Sequence, residues 1–136
     1  MTPEQIKLVQ QSFNKTVPIT EKVAKKFLTM LFAIDPKLKP LFADDPKGKR
    51  LMATFTTFVK GLSKMDSING IAQQMGVRFK RMGIRMDDYM TIGAALIETL
   101  AFFQKDDFTP SIRQAWIEGY GVIASIMIRA ANEQSI

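Results

Sequence analysis

Apolar residues recur along this chain at three- and four-residue steps, the spacing that lines one face of an α-helix. The first stretch, TPEQIKLVQQSF, sets Thr2 before Pro3 and Gln5, a capping-box start with proline at the first helical position. Its inner face is Ile6, Val9 and Phe13. Pro18 interrupts the pattern, and a second helix is predicted through Val23, Phe27, Met30, Leu31 and Ile34. Two prolines in DPKLKPLF then permit only a short helical turn. Asp45, with Pro46 behind it, is expected to cap a third helix carrying Leu51, Phe55, Phe58 and Leu62. Asp66 is expected to cap a fourth, with the stripe Ile68, Ile71, Ala72, Met75, Phe79 and Met82, and Gly83 to end it. A long helix from about Asp87 to Phe103 is apolar over most of its surface, which implies burial on most sides. FTPSI repeats the Thr-Pro start, ahead of a last helix with Ile112, Trp116, Tyr120, Ile123 and Met127. No strand, repeat or linker pattern breaks the series, so the fold class is all-α.

At 136 residues the chain is the length of one domain and can bury a core without metal or disulfide staples. Uncharged runs such as Met90 to Ile97 are too short to span a bilayer. The amphipathic N-terminus does not read as a secretory signal, so a cytoplasmic location is expected and no membrane partner. Cysteine and histidine are both absent. That removes thiolate chemistry, the commonest transition-metal ligand and the commonest general base at neutral pH. No paired carboxylates, phosphate loop or nucleophile-base arrangement takes their place, so the chain is not expected to be an enzyme, nor to hold a metal through a dedicated site.

The net charge of +6 gathers in Lys25 and Lys26, in Lys47 to Arg50 and in Arg78 to Arg85. Such an excess tolerates anionic partners. No helix-turn-helix, zinc finger or aromatic-basic strand accompanies it, so specific nucleic-acid binding is not expected.

With these residues in place, the chain resembles the bacterial single-domain haemoglobins and the globin domain of flavohaemoglobins. MTPEQIKLVQQSF is similar to that group's first helix, FLTMLFAIDPKLKPLF to its second helix and the short one after it, and AWIEGYGVIASIMI to its last. The likeness covers essentially all of residues 1–136 and implies a single globin-like domain, a three-on-three helical sandwich. It also assigns positions. Phe42 matches the phenylalanine that packs on the haem face. Leu28 stands where the group usually has an oxygen-binding tyrosine, and Leu51 matches an apolar residue on the ligand side. Lys47 falls near the distal glutamine or histidine, after a loop shorter than usual. Tyr89 matches a proximal-side tyrosine, whose expected glutamate partner falls on Ala131. Phe79 falls on the iron-binding histidine.

A phenyl ring cannot coordinate iron. The resemblance therefore implies a pocket that has lost its proximal histidine, its distal tyrosine and the glutamate together. Such a pocket of roughly 300 Å³, left dry and empty, would cost on the order of 7 kcal/mol, so the space must be filled. Phe79 then reads as core filler, packed with Leu28, Met52, Phe55 and Met82, or as the lining of an apolar cavity for another ligand. Two readings of function follow. In the first, ordinary haem ligation is lost, no cofactor is expected, and the chain is a non-haem binding or sensing module for an apolar small molecule or a protein partner, as a monomer or weak homodimer. In the second, haem binds through Lys80, Met82 or Met75 on one side, or Lys47 or Met52 on the other, or with no protein ligand. Arg78, Lys80, Arg81 and Arg85 would then flank its propionates. A purely structural or partner-binding helical bundle is a third possibility.

Overall fold

The capping box at Thr2 forms: its hydroxyl accepts the Gln5 N–H at 3.1 Å, and its own N–H donates to Gln5 Oε1 at 2.9 Å. This launches α1, Pro3–Asn14. The computed structural model describes residues 1–133. Pro18 sits in a 3-10 turn, Val17–Ile19, and α2 follows as Thr20–Ile34. The double-proline stretch winds into a 3-10 helix, Pro36–Phe42, begun by the Asp35 carboxylate accepting the Lys37 N–H. Then come α3, Lys49–Gly61; α4, Met65–Met82; α5, Asp88–Gln104; and α6, Pro110–Glu133. There is no strand among the described residues.

The principal pairings are α4 on α6, α2 on α5 and α1 on α6, with α3 touching α1, α2 and α4. This is the expected three-on-three arrangement, in which α1, α3 and α4 cover α2, α5 and α6. α5 runs through the centre, burying Ile92, Ala95, Leu96 and Leu100 almost completely. Close approach between helices is set by glycine at two points. A Cβ on Gly76 would collide with the backbone of Met127, and one on Gly93 would lie 2.7 Å from the Tyr120 ring. A buried polar cluster ties three helices together. Ser12 Oγ donates to Gln104 Oε1 at 2.8 Å and accepts from Trp116 Nε1 at 3.0 Å, while Gln104 Nε2 donates to the Ser12 carbonyl at 2.9 Å.

Two expected caps shift. α3 does not start behind Pro46 but at Lys49, because the chain first turns through Gly48 in the left-handed region, φ +69°. Gly48 is packed against Leu28 and Ala24. The Asp45 carboxylate still serves the helix, from farther out, by accepting the N–H groups of Arg50 and Leu51 at 3.3 and 3.1 Å. Asp66 caps nothing: α4 starts ahead of it at Met65, after a tight turn closed by Lys64 N–H on the Gly61 carbonyl. Its charge instead lies in the first turn, where it favours the helix dipole. Two expected inward residues face out. Ile34 ends α2 where the chain turns away, and Ile71 lies off the buried stripe of Ile68, Ala72, Gly76 and Phe79. Gly83 ends α4 as expected, at φ +102°, with Ile84 N–H bonded to the Phe79 carbonyl at 2.9 Å.

The two α4 glycines give opposite expectations. Gly70 has open space around it, so Gly70→Ala should stabilise the domain by up to about 1 kcal/mol through helix propensity. Gly76→Ala carries the same propensity gain but forces α4 off α6, and should destabilise by roughly 1 to 3 kcal/mol. Urea unfolding followed by far-ultraviolet circular dichroism compares the two directly.

Candidate functional site

Phe79 is buried on the inner face of α4, one turn after the Gly76 contact, with its ring centroid 6.0 Å from that of Tyr89 on α5. It separates two small cavities. On one side Phe79 meets Phe42, Leu51, Met75 and Met82, with Asp44, Asp45, Arg50 and Arg78 completing the wall, around a space of about 50 Å³. On the other it meets Phe55, Tyr89, Trp116 and Met127, among other apolar side chains, around a second space of about 50 Å³. The fold thus brings Phe42, Leu51, Phe79 and Tyr89 into one region.

Leu28 and Lys47 belong elsewhere. Both line an outer groove between α2 and α3, of about 1260 Å³, rather than either Phe79 cavity. Lys47 is exposed, while Leu28 is buried under Gly48. Met52 opens onto the same groove. Lys80 turns outward, as its place beside Phe79 predicts, and its Nζ donates to the Ala131 carbonyl at 3.2 Å. Arg78, Arg81 and Arg85 are exposed.

Tyr89 is the chemically unusual group. It is 5% exposed, yet its hydroxyl has no hydrogen-bond partner among the described residues. The neighbouring Tyr120 hydroxyl donates instead to the Tyr89 backbone carbonyl at 2.7 Å. Burial pushes the Tyr89 phenol up to about 12. It raises that of Tyr120 as well, with the nearby Tyr89 adding to the effect. Both rings, neutral at physiological pH as tyrosine ordinarily is, stay neutral farther into the alkaline range.

These residues do not fit a haem. Small-molecule sites run from about 300 Å³ upward, whereas the Phe79 region offers two spaces of about 50 Å³ divided by a packed ring. The donors present are the Met75 and Met82 thioethers, the Thr54 hydroxyl and a neutral phenol. The Asp44 and Asp45 carboxylates at the same space are engaged by the Arg50 side chain and by the Arg50 and Leu51 N–H groups. Among the described residues, no three acidic side chains gather into a metal-binding group, and no helix is long and apolar enough to cross a membrane.

Sequence reading missed the pairing of Tyr120 with Gly93, although an aromatic residue and a glycine on adjoining apolar helices were the available signal. It also missed that Lys25, Lys47 and Lys49 meet across one groove, with Lys39 at its edge.

The orphaned hydroxyl makes Tyr89→Phe neutral or stabilising, by up to about 1 kcal/mol, since it removes a buried group without a partner. Its titration gives a second expectation. An unfolded tyrosine loses its proton near pH 10, while Tyr89 holds its own to about 12. The folded state therefore binds more protons in that window, and stability falls as pH rises through it. The urea midpoint should drop more steeply between about pH 10 and 12 in the parent than in Tyr89→Phe.

Residues 25–127 match the family model for globin. The flavohemoprotein of Vibrio cholerae serotype O1 is 23% identical over 94% of this chain, and that of Bacillus subtilis is 26% identical over 85% of it. The matches span 34% and 31% of those two proteins, so the chain spans about a third of their length. Among solved structures, a bacterial globin from Campylobacter jejuni superposes with a TM-score of 0.80 at 20% identity, over 98% of this chain and 99% of its own. With a family model matched over most of its length and the six-helix sandwich in place, the chain belongs to the globin family.

Proposed function

We propose that this chain is a globin-fold binding or sensing module that works without histidine-ligated haem, is not an enzyme and acts in the cytoplasm. The observation that carries this reading is Phe79. In a chain with no histidine, the position that the resemblance gives to the iron ligand holds a buried ring with a small space on either side of it. Globins usually bind haem, and the relatives named above are flavohemoproteins, so the proposal departs from the family's habit. A further substitution supports it: the resemblance expects a glutamate where this chain has Ala131, an apolar residue in place of a polar one.

A second reading keeps haem through a thioether. Met75 and Met82 line the same cavity as Phe79, and methionine coordinates haem iron without deprotonation. That route requires the Phe79 ring to leave the core.

The two readings part on haem content. The protein purified from cells supplied with a haem precursor should give far less than one haem per chain in a pyridine haemochrome assay, and added haemin should leave its melting temperature unchanged. One haem per chain, or a large upward shift with haemin, would favour the methionine route. Phe79→Ala should destabilise the domain by roughly 3 to 5 kcal/mol, the range for truncating a buried aromatic ring. A neutral effect in urea melts would mean that the ring does not fill the core.

A further inference from the structure

The groove between α2 and α3 lies outside the Phe79 region and has its own chemistry. Ala24, Leu28 and Phe32 follow one another at four-residue steps along α2, and Met52, Ala53 and Thr56 face them from α3. Ala24, Leu28 and Met52 are buried beneath the groove, so its accessible apolar floor is Phe32 with Ala33 and Ala53. The connection from α2 to α3 does not cover it. After the 3-10 helix only Ala43 to Gly48 remain, and Pro46 and Lys47 sit at the groove's edge.

Four lysines surround this floor: Lys25 on α2, Lys49 at the start of α3, and Lys39 and Lys47 between the two helices. All but one of the charged residues lining the groove are cationic, the exception being Glu21. None of the four lysines has a carboxylate within ion-pair distance among the described residues. The N-terminal dipole of α3 adds positive potential at the same end. An apolar strip framed by unpaired cations is complementary to an apolar strip framed by anions.

Size selects the form of that partner. Small-molecule sites enclose about 300 to 1000 Å³ and bury most of the ligand, but this groove holds about 1260 Å³ and is open along its length. A single acyl chain would stay wet on one side. A helix 10 to 12 Å across, at 5.4 Å per turn, takes roughly 400 to 600 Å³ for each turn, so two to three turns match the groove. Helix axes approach within about 8 to 10 Å where the side chains at the contact are small, and Ala24, Ala33 and Ala53 line the groove. A second copy of this chain is a poor occupant, since its net charge of +6 would set cation against cation.

We propose that the α2–α3 groove docks an acidic amphipathic helix of a partner protein, with its apolar stripe on Phe32, Ala33 and Ala53 and its carboxylates on Lys25, Lys39, Lys47 and Lys49. The proposal takes up the partner-binding side of the preceding reading but rests on the groove alone. It stands or falls separately from haem content, which is measured on the same preparation.

The probe is a fluorescein-labelled 18-residue synthetic helix with leucine at i, i+3, i+4 and i+7 and glutamate flanking that stripe, titrated with the full chain and followed by anisotropy. Saturable one-to-one binding is expected, weakening by roughly tenfold or more between low and moderately high salt. Lys25→Glu with Lys49→Glu should weaken it by at least about tenfold, and Ala53→Trp should block it by occupying the floor. These three positions are exposed, and a glutamate in the first turn of α3 favours that helix. Unchanged circular dichroism will separate lost docking from lost folding. The proposal is overturned if the peptide does not bind. It is overturned equally if binding ignores salt or both sets of substitutions, or if the same peptide with lysine in place of glutamate binds as tightly. Tight binding of palmitate that Ala53→Trp abolishes would reassign the groove to a lipid, and a concentration-dependent dimer that Ala53→Trp abolishes would reassign it to a second copy.

Discussion

The contact that governs the pocket is backbone on backbone. At Gly76, α4 lies so close to α6 that no side chain can intervene, and the main chain of Met127 fills the place of the missing Cβ. Side-chain contacts between helices can be relaxed by rotamer changes, but this one cannot, because neither partner has a torsion to spare. It fixes the height of α4 above α6. One turn farther along, Phe79 must then point into whatever space lies between α4 and α5, where it meets Tyr89. The division of the pocket is thus a consequence of a missing methyl group three residues away.

The opposite end of the sandwich is closed by different means. Ser12, Gln104 and Trp116 satisfy one another across α1, α5 and α6, and buried networks of this kind are rigid when every member is paired. Tyr120 adds a hydrogen bond to the main chain of α5 while its ring packs against Gly93. With α5 and α6 joined to each other, α4 to α6 and α2 to α5, a lightly packed seam lies between α2 and α3. That is where the fold leaves an uncovered groove, and the region does not share the Phe79 cavities.

Features set by neighbours in sequence were legible in it. The capping box at Thr2 and the glycine stop at Gly83 depend on a few adjacent residues and form as expected. Asp45 was legible as a cap but not in its position, because the left-handed turn at Gly48 depends on packing against Leu28 and Ala24 some twenty residues earlier. Ile34 and Ile71 fit a helical stripe, yet helix ends and stripe edges are decided by what lies opposite. At the site, periodicity predicted the burial of Phe79. The division of its surroundings into two small spaces needed three-dimensional volumes that no linear pattern encodes. Likewise the basic clusters could be counted along the chain, whereas their meeting across one groove depends on how α2 crosses α3.

The buried polar cluster has one more property. Trp116 is the chain's single tryptophan. Its indole N–H is fixed on Ser12, its ring lies 6.1 Å from that of Phe13, and its other side lines the cavity shared with Phe79 and Tyr89. The molecule therefore carries one indole fluorophore, excitable apart from Tyr89 and Tyr120 at the red edge, at the wall of its own interior space. A change of emission colour would report water reaching Ser12, and a change of lifetime alone would report a guest or a moved ring inside the cavity.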